Sequence, residues 1–182
     1  MYTNIDTEHG LKVLRLFLEE LKSEGNLPTN FDIDMIVEAA RIVMCWNLFE
    51  YGDSFFKQLI GTTMGTPAAV LWAIIYFYPH KKYNLIPSFT LKMQLLVRYI
   101  DDIFLLVLYE GDDGFTLEEW IQFGSMINEY EILKWEVGEP SISVNYLDLT
   151  AQLKMERWLP KSTKNQQACI NTLLPILPTL PG

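Results

Sequence analysis

Cysteine is scarce in this chain: two among 182 residues, Cys45 and Cys169. They lie far apart and form no metal-spaced pair, so neither a disulfide framework nor a thiolate zinc site is expected. Both read as free thiols, which places the protein in a reducing compartment, the cytoplasm or nucleus. Basic residues are also few. Fourteen Lys and Arg against twenty-three Asp and Glu give a net charge of −9. Phosphate neutralisation drives nucleic-acid affinity, so this balance argues against autonomous nucleic-acid binding. The one local basic cluster is His80, Lys81 and Lys82 with Lys92 and Arg98. A solvated loop face explains Lys81 and Lys82 equally well. No apolar run is long enough to span a bilayer. The longest stretch, Pro67 to Tyr78, is about a dozen residues where roughly twenty are needed. The first residues are polar and acidic where a signal peptide is basic and then apolar. No internal repeat or linker is evident.

What the chain does have is apolar substance. Hydrophobic residues make up 49% and aromatics 13%, which excludes a disordered polymer and suits one domain with a real core. Leu11, Leu14, Leu18 and Leu21 share one face of a helix predicted over 7–24, with Gly25 at its end. Residues 26–30 read as a loop, and a second helix is predicted over 34–47. Phe49 to Phe56 reads as a hairpin turning at Gly52-Asp53. An amphipathic helix is predicted over 115–130 and strands over 132–156. Helices packed on antiparallel hairpins make the expected fold class α+β. Trp46, Trp72, Trp120 and Trp135 fall in these elements and are expected to pack in or between them.

The richest stretch is Arg98-Tyr99-Ile100-Asp101-Asp102, between Met93–Val97 and Ile103–Leu108. The flanking runs are short, apolar and partly β-branched, as buried strands are. Two adjacent carboxylates between them repel unless a cation neutralises them. A tight strand–turn–strand that offers both to a hard divalent ion such as Mg²⁺ accounts for the pair. A plain hairpin turn is the alternative, since Asp favours turns. Upstream, Gln58-Leu59-Ile60-Gly61-Thr62-Thr63-Met64-Gly65-Thr66-Pro67-Ala68-Ala69 is a glycine-rich loop feeding a helix. Thr66 suits the N-cap and Pro67 the first helical position. Gly61 and Gly65 allow backbone conformations and close approaches that a side chain blocks. Such a loop suits contact with a phosphate, sugar or base. A capped core helix explains it as well. The helix over 67–78 is apolar nearly all round and is expected to be buried.

Together "QLIGTTMGTPAA" and, about thirty residues on, "RYIDDIFLL" resemble motifs B and C of reverse transcriptases, in their order and spacing. The style is similar to Penelope-like and related retroelement polymerases. "MYTNIDTEHGL" resembles the segment just after the motif A aspartate there, and "ILKWEV" and "SVNYLDLTAQL" resemble the strand after motif D and the motif E hairpin. The resemblance spans residues 1 to about 155 and implies a polymerase palm over 1–157, followed by an irregular Pro-rich tail over 158–182.

The resemblance also implies roles. Asp101 matches the motif C aspartate that binds both metal ions, and Asp102 its less critical partner. Tyr2 matches the aromatic gate against a ribose 2′-hydroxyl. Gly65 matches the motif B glycine near the incoming nucleotide, and Met64 stands where many relatives carry Gln. Gln58 matches a recurrent Gln of the subgroup. The implied chemistry is template-directed nucleotidyl transfer with two Mg²⁺ ions, on an RNA or DNA template with primer and deoxynucleotide. The motif A aspartate is expected five residues before Tyr2, ahead of Met1. Asp6 is the nearest acid and reads as a helix cap instead. This polypeptide alone is therefore expected to be inactive or nearly so. A non-catalytic remnant and an acidic protein-interaction module on the same fold are the alternatives. The tail over 165–182, with three prolines in the last ten residues, is expected to be extended and frayed.

Overall fold

A computed structural model describes residues 5–59, 61–62, 66–109, 114–131 and 133–153, and the backbone of 167–175. The chain divides into two compact units, Met1–Pro79 and His80–Gly182. It is a mixed α+β protein with small antiparallel sheets.

In the first unit, helix α1 (Thr7–Ser23) starts at Asp6, whose carboxylate accepts from the His9 amide at 2.6 Å. Asp6 is thus the cap that its position implied. The helix ends in a Schellman turn. Gly25 takes φ +75°, its N–H donates to the Lys22 carbonyl, and that of Asn26 donates to Leu21. Leu11, Leu14 and Leu18 are buried as the leucine stripe requires, joined by Val13 and Gly10. Helix α2 (Ile33–Cys45) is capped by Asp32, which accepts from the Met35 amide at 3.0 Å. Arg15 to Asp34 and Arg41 to Glu8 tie α2 to α1. Strands β1 (Leu48–Tyr51) and β2 (Ser54–Lys57) form the expected hairpin, with Gly52 at φ +63° in its turn. Every residue of both strands is exposed.

Helix α3 (Pro67–Tyr76) follows the glycine loop. Pro67 holds the first helical position, but the Thr66 hydroxyl makes no cap bond. The expectation of burial all round is corrected. Ala69, Trp72, Ala73 and Tyr76 are buried, whereas Val70, Leu71 and Ile74 are exposed. α1 occupies one side of α3: Tyr76 stacks edge-on against His9 at 5.2 Å, and Trp72 lies against Gly10. Trp46 is also corrected. It caps the C-terminus of α2 with two-thirds of its surface exposed, under the Lys57 ammonium at 4.4 Å from the ring centre.

The second unit opens with a π-helical turn over His80–Leu85 and the short helix α4 (Ile86–Phe89). Strands β3 (Met93–Tyr99) and β4 (Asp102–Tyr109) pair antiparallel. Helix α5 (Leu117–Ile127) begins with a full capping box: the Thr116 hydroxyl accepts from the Glu119 amide, and the Glu119 carboxylate accepts from the Thr116 amide. Strand β5 (Trp135–Val137) and the hairpin of β6 (Ser143–Tyr146) and β7 (Leu149–Gln152) come next.

The backbone over Gln167–Pro175 forms β8, which pairs with β4 on one side and β5 on the other, so the larger sheet runs β3-β4-β8-β5. The expectation of a frayed tail is corrected for these nine residues. Ala168 to Leu174 is mostly apolar and partly β-branched, interrupted by Asn171 and Thr172, and Pro175 stands at its end, where a missing amide is tolerated. The rest of the tail lies outside the described residues.

The core of this unit lies on one face of the sheet. Ile103, Leu105 and Val107 alternate inward from β4 and are fully buried, with Phe115, Phe123 and Ile127. Phe89, Phe115, Trp120 and Phe123 interlock with ring centres 5.3 to 6.2 Å apart. β3 is an edge strand, and Leu95, Val97 and Tyr99 stay exposed on its other face. The expected pair of buried strands is therefore one buried strand and one half-covered one.

Candidate functional site

Asp101 and Asp102 stand at the tip of the β3–β4 hairpin. Tyr99 pairs with Asp102, so the loop is only Ile100 and Asp101. Ile100 has φ +52°. A positive φ at the first loop residue alone follows the type II′ pattern, where glycine is the usual occupant. A β-branched residue there costs on the order of 1–3 kcal/mol and persists only where its surroundings hold it. Two contacts hold it here. The Arg98 Nε donates to the Ile100 carbonyl at 2.6 Å, and the Trp135 indole N–H donates to the Asp101 carbonyl at 3.2 Å.

Both carboxylates are half-buried. Burial, and then the neighbouring Asp101 charge, raises the Asp102 carboxyl above its ordinary range. Arg98 is a cation within electrostatic reach of Asp101. Burial pulls its guanidinium down to about 10, while the charges of Asp101 and Tyr130 act against that fall. The charge of Asp101 is thus partly answered from within the chain. Tyr146, from the β6–β7 hairpin, packs at a tilt against Phe104 at 5.4 Å with a buried hydroxyl that has no hydrogen-bond partner among the described residues. Burial and then Asp102 raise that phenol; the Tyr99 backbone opposes the shift without reaching hydrogen-bond geometry.

Arg98 and Asp102 address different faces. Arg98 pairs with Ile103, which points into the core. Alternation along β4 sends Asp102 and Phe104 to the other face, with Tyr99 and Val97 of β3. Two adjacent carboxylates therefore have distinct surroundings.

Within the second unit the turn brings Asp101 and Asp102 together. Tyr2, Met64 and Gly65 lie outside the described residues. Gln58 belongs to the first unit. Its amide donates to the Asn47 carbonyl at 2.9 Å, and it lines a cleft of about 270 Å³ with Asp6, Glu8, Cys45 and Lys57. Gly61, at φ +82°, occupies a conformation that glycine suits.

The local basic cluster does not form a basic surface. His80 is buried: Nε2 meets the Met126 carbonyl at 2.7 Å, Nδ1 meets the Asn84 amide at 3.0 Å, and Tyr130 stacks on the ring. Burial holds its imidazole below the ordinary 6.5. Lys92 is bound to Glu119, and Arg98 lies beneath the acidic turn. Lys81 is half-buried and its ammonium is lowered by burial and then by Arg98.

Two carboxylates are the usual protein share of a Mg²⁺ site, the rest coming from water and substrate phosphate. Asp101 and Asp102 fit that share. Among the described residues, no group of three or more His, Cys, Asp or Glu could hold a metal ion. No described helix is long and apolar enough to cross a membrane. No family model, curated protein or solved structure matches the chain.

Sequence reasoning misses the parts that hold the turn. Arg98 reads as a member of a basic cluster, although it stands three residues before Asp101, close enough to serve it. Trp135 and Tyr146 reach the turn from distant segments, and no local pattern announces them.

Proposed function

We propose that this chain is the palm part of a retroelement-derived, RNA-directed DNA polymerase, and that the β3–β4 turn is its motif C carboxylate pair. One observation carries the reading. Ile100, not a turn-forming residue, holds the strained position that presents the two acids. A hairpin selected only to turn would place glycine there. Backbone strain held by tertiary contacts is characteristic of functional sites. The order of a glycine loop, a proline-initiated helix and an acidic hairpin supports the same reading. Mg²⁺ at Asp101 and Asp102 would offset the charge that develops on a transferred phosphoryl group. The chain's own part is to hold the carboxylates, with Arg98 and Trp135 fixing the loop backbone.

Mg²⁺-dependent primer extension on RNA and DNA templates tests this, using the longest in-frame protein that contains these residues. Asp101→Asn is expected to abolish extension and leave the fold intact. Extension that survives Asp101→Asn would remove the metal-site assignment.

A second reading has its own observation. Arg98 already answers the charge of Asp101. The acids then need no metal, and the chain is a non-catalytic protein on the same fold. Absence of both Mg²⁺ binding and extension in that longer protein, with a stable fold, favours it.

A further inference from the structure

The carboxylate turn is held from a distance by a short relay of hydrogen bonds. Trp135, the first residue of β5, is buried, and its indole N–H donates to the Asp101 carbonyl at 3.2 Å. Trp135 is itself gripped by Asn128, the C-cap of α5. The Asn128 side chain accepts from the Trp135 amide at 2.6 Å and donates to the Trp135 carbonyl at 3.0 Å and to the Gly124 carbonyl at 2.9 Å. An Asn side chain offers one carbonyl and one amide group. Here both are used to hold one residue of a neighbouring strand against the end of a helix.

We infer that Trp135, aligned by Asn128, is a positioning residue for the Asp101–Asp102 turn and sets how well that turn receives a divalent cation. The inference deepens the cation-site reading and rests on it for the ligand. The backbone argument stands independently. Ile100 sits at φ +52°, a conformation its branched side chain disfavours. The Asp101 carbonyl bond to a buried indole restrains the peptide next to that strain. Arg98 restrains the preceding one through the Ile100 carbonyl. Losing either bond lets the loop relax and spreads the carboxylates over more orientations. Two ligands that must be ordered on binding give weaker affinity than two held ready.

The test uses the full chain, with Mn²⁺ as probe and two measurements on the amides of residues 100–102. One is paramagnetic broadening during Mn²⁺ titration, and the other is backbone order from nitrogen relaxation. Trp135→Phe keeps a ring in the core and removes the N–H. It is expected to lower the order of the turn and to weaken Mn²⁺ about three- to tenfold, the worth of one ordinary hydrogen bond. Trp120→Phe is the control. Its indole N–H donates to the Gly138 carbonyl at 3.3 Å in the same unit and does not serve the turn. It is expected to change neither reading. Asn128→Ala, which loosens Trp135 without touching the loop, is expected to act as Trp135→Phe does and serves if that variant does not fold.

Unchanged turn order in Trp135→Phe and Asn128→Ala overturns the inference, whatever the cation does. Equal loosening by Trp120→Phe overturns it too, because the effect is then general. If the wild-type turn shows no Mn²⁺ broadening but loosens in Trp135→Phe, the positioning role stands and the cation-site reading fails.

Discussion

Gly10→Ala tests the packing of the first unit at its tightest point. Gly10 lies inside α1, where glycine costs about 1 kcal/mol relative to alanine. A sequence chosen for helix propensity alone would not keep it. The reason is Trp72. A Cβ on Gly10 would stand 2.4 Å from Cζ2 of the indole, 2.9 Å from Cε2 and 3.1 Å from Cη2. The nearest of these is far inside van der Waals contact. Trp72 is only 3% exposed, so the ring cannot swing into solvent. Either the indole leaves its rotamer or α1 and α3 move apart. Overpacking of this kind costs about 1–3 kcal/mol, and such a short contact belongs at the upper end. Subtracting the propensity gain leaves a net loss of about 1–2 kcal/mol. Urea unfolding followed by circular dichroism reads it as a lower midpoint with an unchanged slope. Trp72→Phe removes the outer part of the indole and is expected to relieve most of the cost. The double-mutant cycle should give a coupling of about 1 kcal/mol or more. A Gly10→Ala protein as stable as the wild type or more so, or strictly additive effects in the cycle, would refute the packing argument.

Two further predictions concern pH. Burial keeps His80 neutral in the fold, below its ordinary 6.5, while the unfolded chain protonates there. The unfolded state then binds more protons in the window just below 6.5, so stability is lost as pH falls through it. His80→Gln is expected to lower stability near neutrality and flatten that acid slope; an unchanged slope in urea midpoints refutes the role of His80. The Asp102 carboxyl is raised, so the fold favours its protonated form, and the stability this contributes is lost as pH rises through the raised value. Cation binding needs the ionised form, so Mn²⁺ affinity at the turn should fall with pH at values above the ordinary carboxylate range. A flat affinity down to about pH 4 contradicts the raised carboxyl.

The features legible in the sequence are those fixed by neighbours along the chain. Asp6 announces a helix start because a cap bonds an amide only three residues on. Gly25 and Gly52 announce a helix end and a hairpin because each sits at positive φ, which a side chain opposes. The apolar, partly β-branched run Ile103–Leu108 announces a strand, but not that only one of its faces is fully buried. Prolines mislead where they are read without position: Pro175 ends β8 instead of preventing it. Apolar character misleads where it is read as burial. Leu71 on α3 and Trp46 after α2 are both mostly exposed, because which side of a helix is covered depends on what packs there. The proposed palm reading also draws on motif order, which local physics does not generate.

The acidic turn shows the same division more sharply. Adjacent aspartates between apolar strands signal a site because the charge needs an answer. Part of that answer is on the chain itself, and it is one-sided. Arg98 approaches from the core face, beside Ile103, and engages the charge of Asp101. Asp102 turns to the face shared with Phe104 and Tyr146, where the surroundings raise its carboxyl instead of lowering it. If the turn takes a divalent cation as proposed, that cation would offset the burial and the Asp101 charge that disfavour the ionised form of Asp102. Asp101, steadied by Arg98 and by the indole of Trp135, supplies a ligand whose backbone is already placed. On the proposed reading the internal cation and an external one are compatible: Arg98 answers Asp101 from the core face, and a divalent ion would meet Asp102 on the other.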